Sequence, residues 1–217
     1  MKCVILANGE YGSFDAYKKQ IDQIDKNDLI FCVDGGADAA LAMGIIPDYL
    51  IGDMDSVSPD TLRYYSSLGV INKKYPPEKD YCDTHLALNL AAELGAEEVW
   101  LWGTLGKRLD HTLANLYSCM DMARQGIKVI HYSPRCCIYI INNRLKLKGA
   151  VGDLVSVLAL TDKATGVCER GFQYTLADAV IYKEKPIGIS NVLASETGEI
   201  EVGEGILLVI HYPQTVE

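Results

Sequence analysis

The stretch DYLIGDMDS, residues 48–56, joins an apolar run to a pair of carboxylates. Tyr49, Leu50 and Ile51 have the composition of a buried β-strand, and Asp53 and Asp55 follow two residues apart. If strand geometry continues through them, both carboxylates point to one side of the chain, because side chains along a strand alternate with a period of two. Two like charges on one side repel each other unless something positive lies between them. The stretch therefore predicts a strand that ends at a cation site.

Residues 1–132 repeat this alternation of apolar runs and periodic segments, which is typical of an α/β fold with parallel strands. The predicted strands are KCVILA, LIFCVD, DYLIGD, VWLWG and KVIHY. One helix is predicted over SPDTLRYYSSLG, with Ser58 as its N-cap and Pro59 at its first position. Two more are predicted over THLALNLAAELG and DHTLANLYSCMDMARQG, which end at Gly95 and Gly126.

Residues 133–217 have a different pattern. Short runs of β-branched and apolar residues are separated by Gly, Asp and Asn, as in CCIYII, RLKLKG, DLVSVLAL and GILLVIHY. Helical periodicity nearly disappears. The strand density predicts a second, smaller all-β domain, either a sandwich or a barrel. The predicted fold is thus a Rossmann-like parallel-sheet domain over 1–132 followed by an all-β domain over 133–217.

Composition excludes several classes of protein. A net charge of −9 over 217 residues argues against a general nucleic-acid binder, which needs clustered Lys and Arg. The longest apolar runs are far shorter than the ~20 residues that span a bilayer, so no membrane association is expected. The seven cysteines are odd in number and show no Cys-x-x-Cys pair, which favours reduced thiols and a cytoplasmic protein without structural zinc.

Acidic and glycine-rich segments follow each predicted strand, where open parallel sheets bind their ligands. The segments are ANGEYGS, DGGAD, GDMDS, EKDYCD and GTLGKRLDH. Any one of them alone is more readily explained as an ordinary turn, but five at one sheet edge are not. Magnesium takes oxygen ligands, typically one or two carboxylates with water and substrate phosphate. The candidate ligands are Asp53, Asp55, Asp80 and Asp83.

The same edge supplies partners for phosphate groups. Arg108, Lys79 and Lys107 are cations, and the backbone amides of the glycines in DGGA (Gly35, Gly36) and in GTLG (Gly103, Gly106) are further donors. GTLGKR lacks the spacer and the Ser/Thr of a Walker A loop, and no G-x-G-x-x-G occurs. A P-loop kinase and a dinucleotide-binding site are both disfavoured.

Some residues in these segments also have a structural explanation. Asp110 could cap a helix, with His111 in the solvated first turn. Cys82 could act as a nucleophile, although no partner base is indicated. Trp100 and Trp102 alternate along a strand, which favours core packing over ligand stacking.

In this order, DGGAD, GIIPDYLIGDMDS, KDYCDTHLAL, GKRLDHTLANL and GISN make the chain resemble the bacterial thiamine pyrophosphokinase (thiamine diphosphokinase) family. The resemblance extends from about residue 2 to residue 210. It implies an α/β domain that binds ATP, a β-sandwich that binds thiamine, and a homodimer with thiamine where the subunits meet. The implied reaction transfers pyrophosphate from ATP to thiamine and gives thiamine diphosphate and AMP.

The resemblance also implies roles for individual residues. Asp53, Asp55, Asp80 and Asp83 become the Mg²⁺ and triphosphate site, with Arg108 beside them. The residues implied on the ATP side are Asp34, Gly35, Gly36, Ser56, Lys79, Thr84, Lys107, Arg108, Asp110 and His111. Those on the thiamine side are Ser190 and Asn191. The chain departs from the family pattern at Met54, where Phe is usual, at Cys82, where Thr is usual, and at Lys107, where Gly is usual.

Pyrophosphoryl transfer needs the thiamine hydroxyl to attack the β-phosphorus with AMP as leaving group, so catalysis depends on positioning and on neutralising charge. An acidic sheet edge could equally serve a hydroxymethylpterin acceptor or hydrolyse a phosphoester with two metal ions. A protein that binds thiamine or a nucleotide without turnover also remains open. GISN could be a turn ahead of an edge strand rather than a thiamine contact.

Overall fold

The computed structural model describes residues 1–75, 82–106 and 108–214. The chain divides into two compact units. The α/β unit comprises Met1–Met122 and Val129–Pro134, and the β unit comprises Ala123–Lys128 and Arg135–Glu217.

The α/β unit is built on a sheet with the strand order β6-β5-β1-β2-β3-β4. The pairs β1–β2, β1–β5, β2–β3 and β3–β4 are all parallel. The five predicted strands are confirmed, and β4 is an additional edge strand whose exposed sequence INKK carries little apolar signal. The strands are β1 (Lys2–Leu6), β2 (Leu29–Val33), β3 (Tyr49–Gly52), β4 (Ile71–Lys74), β5 (Glu98–Trp102) and β6 (Lys128–Tyr132).

The three predicted helices are present, and one of them is divided. Ser58 Oγ accepts a hydrogen bond from Thr61 N at 3.2 Å, which confirms the predicted cap. The last predicted helix is interrupted at Cys119, whose thiol donates to Asn115 O at 3.1 Å. The elements are a 3₁₀ turn (Phe14–Tyr17), α1 (Lys18–Ile21), α2 (Gly36–Ala42), α3 (Pro59–Ser67), α4 (Asp83–Glu93), α5 (Leu109–Ser118) and α6 (Met120–Arg124).

A core rich in aromatic rings holds the parallel sheet in place. Tyr17 and Trp102 are buried with ring centroids 5.2 Å apart, and Leu6, Leu50 and Tyr65 belong to the same cluster. Burying a large apolar side chain stabilises the fold by about 1.5–3 kcal/mol. Trp102 is thus a core residue, as its spacing predicts, and this core fixes the strand ends on which the loops are mounted.

The β unit consists of two antiparallel sheets, with the strand orders β12-β9-β14-β7 and β11-β10-β13-β8. Val155, Val157 and Val209 of the first sheet pack with Val167 and Ile200 of the second in one buried cluster. The unit is therefore a sandwich rather than a barrel. Its strands are β7 (Cys137–Ile141), β8 (Arg144–Lys148), β9 (Leu154–Ala159), β10 (Lys163–Arg170), β11 (Leu176–Tyr182), β12 (Gly188–Val192), β13 (Thr197–Glu201) and β14 (Leu207–Tyr212).

Within the described ranges, every helix is too short or too polar to cross a lipid bilayer.

Candidate functional site

A cleft of about 620 Å³ opens in the α/β unit where β1, β2 and β5 end. The loops that follow these three strands supply much of its lining, as expected for the carboxyl edge of a parallel sheet. Seven of the residues predicted from the sequence line this cleft: Asp34, Ser56, Asp83, Thr84, Arg108, Asp110 and His111. The cleft also contains Asn8, Gly9, Thr104 and Asn115, which were not predicted as site residues.

Two glycine contacts let the loops of this edge approach each other. Gly9 N donates to Gly103 O at 2.6 Å, and a Cβ at Gly9 would lie 2.2 Å from the same oxygen. Gly36 lies at the start of α2, where a Cβ would lie 2.1 Å from Leu6 O. Gly35 and Gly36 adjoin the cleft rather than line it, and Gly35 lies against the side chain of Asn8.

Asp53 and Asp55 lie beyond the end of their strand. β3 ends at Gly52, which has a φ of 133°, and Met54 has a φ of 68°. The expectation that a strand period directs both carboxylates to one side is therefore wrong, because the chain turns before reaching them. Asp53 Oδ1 instead accepts a hydrogen bond from Asp55 N at 3.1 Å.

The exposed Asp55 carboxylate accepts a hydrogen bond from Ser56 Oγ at 2.7 Å. Neither Asp53 nor Asp55 lines the cleft, whereas Ser56 does.

Asp34, directly after β2, has the carboxyl group of the site whose pKa is most strongly shifted. Its pKa is raised to about 7, first by burial and then by the charge and hydrogen bond of Asp83 and the charge of Asp53, against a backbone hydrogen bond from Met54 that lowers it. Its Oδ1 atom is buried and has no hydrogen-bond partner among the described residues. A Cβ at Gly52 would lie 1.9 Å from that oxygen, so glycine is needed to leave room for it.

These carboxyl groups have the chemistry of a magnesium site. Asp34 interacts with both Asp83 and Asp53 as like charges, and a divalent cation would relieve both this repulsion and the unpaired Oδ1 atom. No group of three acidic, His or Cys side chains in the described ranges is arranged to hold a metal by itself. Mg²⁺ does not require one, since it usually keeps several waters and substrate phosphate oxygens. The residues present thus fit the ion.

Arg108 and Asp110 form an exposed pair at the rim of the cleft. Arg108 Nη2 and Nε donate to Asp110 Oδ2 and Oδ1 at 2.5 Å and 3.2 Å, and this contact is the main reason that the pKa of Asp110 is lowered. The N-cap of α5 is Arg108, without a side-chain cap bond. The alternative in which Asp110 caps the helix is therefore wrong, because Asp110 already lies in the first turn. His111 follows it, exposed and in the cleft lining.

A closed ring of hydrogen bonds lies behind the cleft. Asn115 Nδ2 donates to Thr104 O at 3.0 Å, Thr104 Oγ1 lies 2.7 Å from His131 Nδ1, and His131 Nε2 lies 3.4 Å from Cys119 Sγ. The ring closes through the bond from Cys119 Sγ to Asn115 O. Burial lowers the pKa of His131 to about 3, so its imidazole is neutral.

The directions of these bonds follow from the neutral imidazole. The Cys119 thiol donates to a carbonyl, so His131 Nε2–H donates to the sulfur and the Thr104 hydroxyl donates to Nδ1. Thr104 and Asn115 belong to the quoted GTLG and RLDHTLANL motifs, which was a signal for them. No sequence signal pointed to His131 or Cys119, because His131 lies on a core strand and Cys119 lies at the end of a helix.

Three of the predicted residues, Lys79, Asp80 and Lys107, lie outside the described residues. Cys82, also considered from the sequence, lines the cleft and is exposed, with its sulfur 3.7 Å from Ser118 Oγ. A serine hydroxyl is not a base that would activate a thiol, so this contact adds nothing to the nucleophile alternative.

Ser190 and Asn191 lie in the β unit, within the edge strand β12. The alternative of a turn ahead of an edge strand is therefore wrong, since the segment is part of the strand and contains a register shift between Gly188 and Asn191. Ser190 is exposed with a φ of 58°, and Asn191 is buried.

Comparisons with known proteins match both units in order along the chain. Residues 21–131 match the family model "Thiamin pyrophosphokinase, catalytic domain", and residues 139–207 match "Thiamin pyrophosphokinase, vitamin B1 binding domain". A thiamine pyrophosphokinase of Bacillus subtilis is 27% identical over 188 residues, which cover 86% of this chain and 88% of that protein. Thiamine pyrophosphokinase 1 of Oryza sativa is 24% identical over 202 residues, covering 81% and 76%.

Solved structures show the same fold. The crystal structure of thiamine pyrophosphokinase from Bacillus subtilis superimposes with a TM-score of 0.85 at 22% identity, covering 99% of this chain and 100% of that one. The yeast thiamin pyrophosphokinase structure gives a TM-score of 0.79 at 16% identity, covering 97% and 86%.

Proposed function

The chain belongs to the thiamin pyrophosphokinase family, and we propose that it transfers the pyrophosphoryl group of ATP to the hydroxyl of thiamine in the α/β cleft with Mg²⁺. The products are thiamine diphosphate and AMP. The observation that carries this proposal is the composition of the cleft, whose lining contains two carboxyl groups, Asp34 with a raised pKa and Asp83, together with the cation Arg108.

Those groups match the demands of the reaction. Transfer of a pyrophosphoryl group moves negative charge from the β-phosphorus toward the leaving AMP, and the protein contributes mainly by positioning and by charge stabilisation. Arg108 is exposed in the cleft and has donors beyond the two that bind Asp110, so it can contact a phosphate oxygen. Ser56, Thr84 and His111 add polar groups to the same lining.

Mg²⁺ would be held by Asp53, Asp55, Asp80 and Asp83, and the unpaired oxygen of Asp34 adds a fifth carboxyl to this set. When bound, the ion supplies neutralising charge for the triphosphate. The chain's own carboxylates then hold the nucleotide indirectly and keep the reacting phosphorus in place.

The domain roles and the assembly belong to the same proposal. Residues 1–132 form the ATP-binding catalytic domain and residues 133–217 the thiamine-binding domain, and two copies of the chain assemble as a homodimer with Ser190 and Asn191 on the thiamine side. The match to a vitamin B1 binding model over 139–207 supports thiamine over a pterin acceptor. The free state of all seven cysteines supports a cytoplasmic location.

The test is a nucleotide analysis of the purified chain with ATP, Mg²⁺ and thiamine, beside parallel reactions that omit thiamine or replace Mg²⁺ with a chelator. We expect AMP and thiamine diphosphate only in the complete reaction. Release of ADP would point to an ordinary kinase, and phosphate release without thiamine would point to a hydrolase. Binding of thiamine without nucleotide change would identify a non-catalytic binding protein.

A further inference from the structure

Asp38, in the first turn of α2, is bonded to the loop of residues 53–58, which contains the two aspartates of the GDMDS motif. Its Oδ2 accepts a hydrogen bond from Ser58 N at 3.1 Å, and its Oδ1 accepts from Ser58 Oγ at 2.8 Å and Thr61 Oγ1 at 2.5 Å. Burial raises the pKa of Asp38, but the bonds from Thr61 and Ser58 outweigh it and lower the pKa below its usual value. Asp38 is therefore an ionised acceptor for three donors outside its own helix.

The cap of α3 does not need this carboxylate. Ser58 Oγ accepts from Thr61 N at 3.2 Å, which satisfies the first turn of α3 with a residue of that helix's own N-terminus. The bond from Ser58 N to Asp38 adds a different connection, since it joins the last backbone amide of the loop to α2.

The other end of the loop is held from the same turn. The carboxyl of Asp34 accepts a hydrogen bond from the backbone of Met54. Asp34 and Asp38 are four residues apart, and Ala37 N, between them, donates to Asp34 O at 3.0 Å. The turn that begins α2 thus bonds the loop near its start, at Met54, and at its end, at Ser58.

The polar residues between these two anchors have few contacts of their own. The described side-chain hydrogen bonds of Asp53, Asp55 and Ser56 join these residues to one another, through Asp55 N to Asp53 Oδ1 and Ser56 Oγ to Asp55 Oδ1. Ser56 nevertheless lines the cleft. Their placement therefore depends on the anchors at the two ends of the loop.

We propose that Asp38 is a positioning residue that holds the loop of residues 53–58, and with it Asp53 and Asp55, in place for Mg²⁺. The proposal rests on the proposed function for the ion and the reaction. Asp38 lies outside the cleft lining and acts through Ser58, so it touches neither the substrate nor the ion.

Amide hydrogen exchange tests the holding role without turnover. In Asp38→Ala, the peptide that spans residues 53–58 should exchange at least about tenfold faster than in the wild type, because Ser58 N loses its acceptor. Peptides from β1 should keep the wild-type exchange, which separates local release from a general loss of stability. Unchanged exchange of residues 53–58 would refute the proposal.

Asp38→Asn is the variant that should rescue the loop. Its amide oxygen can accept from Ser58 N, and its NH₂ group can donate to the hydroxyl oxygens of Ser58 and Thr61. Exchange of residues 53–58 should therefore stay within about threefold of the wild type. If this variant exchanges as fast as Asp38→Ala, the hydrogen-bonding role is wrong.

The Mg²⁺ dependence of AMP release tests whether the holding role serves the ion. Asp38→Ala should raise the half-saturating concentration of free Mg²⁺ about tenfold, the lower end of the cost of removing a residue that supports metal ligands. The thiamine KM should stay within about twofold. An unchanged Mg²⁺ dependence would overturn the proposal, because the loop would then be released without effect on the ion.

Asp38→Asn also separates positioning from a direct effect of charge. It should keep the Mg²⁺ dependence within about threefold of the wild type, since it retains the hydrogen bonds and removes only the charge. If its loop exchanges normally but its Mg²⁺ dependence matches that of Asp38→Ala, the carboxylate acts on the ion directly and the positioning role is refuted.

Asp48→Ala is the matched control. Asp48 is an exposed carboxylate directly before β3 that accepts from Ile30 N at 2.8 Å, at the end of the strand opposite to the loop. This control should keep the Mg²⁺ dependence within about twofold of the wild type, and a tenfold shift would overturn the proposal. Thermal unfolding of every variant is measured alongside. If Asp38→Ala does not fold, Asp38→Ser replaces it, because the shorter hydroxyl cannot reach both Ser58 and Thr61.

The outcomes also distinguish this proposal from the function on which it rests. A wild-type chain that makes no AMP with thiamine contradicts the proposed function, and the exchange comparison still decides whether Asp38 holds the loop. An active wild type together with an Asp38→Ala variant of unchanged loop exchange contradicts only the role of Asp38.

Discussion

Asp34 in the α/β unit and Glu169 in the β unit are both carboxyl groups with one buried oxygen that lacks a described partner, yet their surroundings are opposite in character. Asp34 lies beside two further carboxylates, Asp83 and Asp53, whose charge adds to the effect of burial on its pKa. Glu169 lies beside a neutral amide, Asn191, whose hydrogen bond opposes the rise that burial causes in its pKa. Asp34 is thus surrounded by like charges, whereas Glu169 accepts a hydrogen bond from a neutral side chain.

A third carboxyl shows what a purely structural arrangement requires. Asp153 is 1% exposed, and its two oxygens accept bonds from Ala150 N, Gln214 N and the ring of His211 at 2.9, 2.8 and 2.7 Å. These bonds lower its pKa despite burial. By contrast with Asp153, Asp34 lies among like charges, and Glu169 accepts a hydrogen bond from one neutral amide. The kind of neighbour therefore distinguishes the carboxyl group of a candidate ligand site from a carboxyl group with a structural role.

The largest effect on activity is expected when one of the neighbouring carboxylates Asp34, Asp53 and Asp83 is replaced. Asp53→Ala should lower kcat for AMP formation about 10³-fold, because the metal and triphosphate lose a negative partner, while thermal unfolding stays close to the wild type. The matched control is Asp60→Ala, an exposed carboxylate on α3 that is paired with Arg63. Normal turnover by the Asp53 variant would remove this residue from the metal site and weaken the contrast with Glu169.

A smaller loss of activity is expected when Arg108, the cation of the same cleft, is replaced. Arg108→Ala should lower kcat about 10²-fold, since one source of charge stabilisation disappears while the acidic cluster remains. Arg108→Lys should recover only part of it, because lysine cannot reproduce the fork of guanidinium donors. Arg63→Ala is the control for the loss of an exposed arginine from a helical ion pair. An effect on the KM for ATP alone would place Arg108 in ground-state binding rather than in charge stabilisation during transfer.

The smallest effect concerns stability and has a defined sign. Because the folded pKa of Asp34 is about 7 and its ordinary value is 3.8, the folded chain binds more protons than the unfolded chain between these values. Stability should therefore fall as the pH rises from about 4 to about 7. In metal-free protein at pH 8, Asp34→Asn should raise the unfolding temperature by about 2–4 °C, corresponding to roughly 1 kcal/mol.

The pH dependence separates this effect from a general gain in packing. At pH 4 the wild-type carboxyl is protonated in the folded chain, so the difference from Asp34→Asn should nearly vanish. Adding Mg²⁺ at pH 8 should stabilise the wild type more than the variant. An equal rise at both pH values would show that charge repulsion is not the cause. Calorimetry at the two pH values, with and without the ion, makes the measurement.

The fold and the location of the cleft were predictable from sequence because they depend on local signals. The alternating apolar runs predicted the parallel strands. The Gly- and Asp-containing segments that follow these runs predicted the sheet edge at which Asp34, Asp83 and Arg108 lie. The strand-based placement of Asp53 and Asp55 failed because β3 ends at Gly52, before either of these residues.

What could not be predicted depends on partners far apart in the chain. The buried ring behind the cleft joins Thr104 to His131, 27 positions away, and a buried hydrogen bond joins Asn191 to Glu169, 22 positions away. A sequence pattern contains neither the orientation of an amide nor the number of its bonds that are already used. The four hydrogen bonds that the Asn191 side chain makes with Glu169, Tyr174 and Val192 therefore leave no signal in the sequence.

The position of Cys82 has a practical consequence. All seven cysteines lie in the described ranges, and Cys82 is the exposed one, whereas the others are buried or partly buried. Cys82 lies in the cleft lining, and Cys119 is enclosed in the hydrogen-bonded ring. Thiol-reactive dyes should therefore label the cleft at one position without any engineering of the chain. The emission of such a dye would report nucleotide arrival directly, and protection of Cys82 from alkylation would measure occupancy in unfractionated samples.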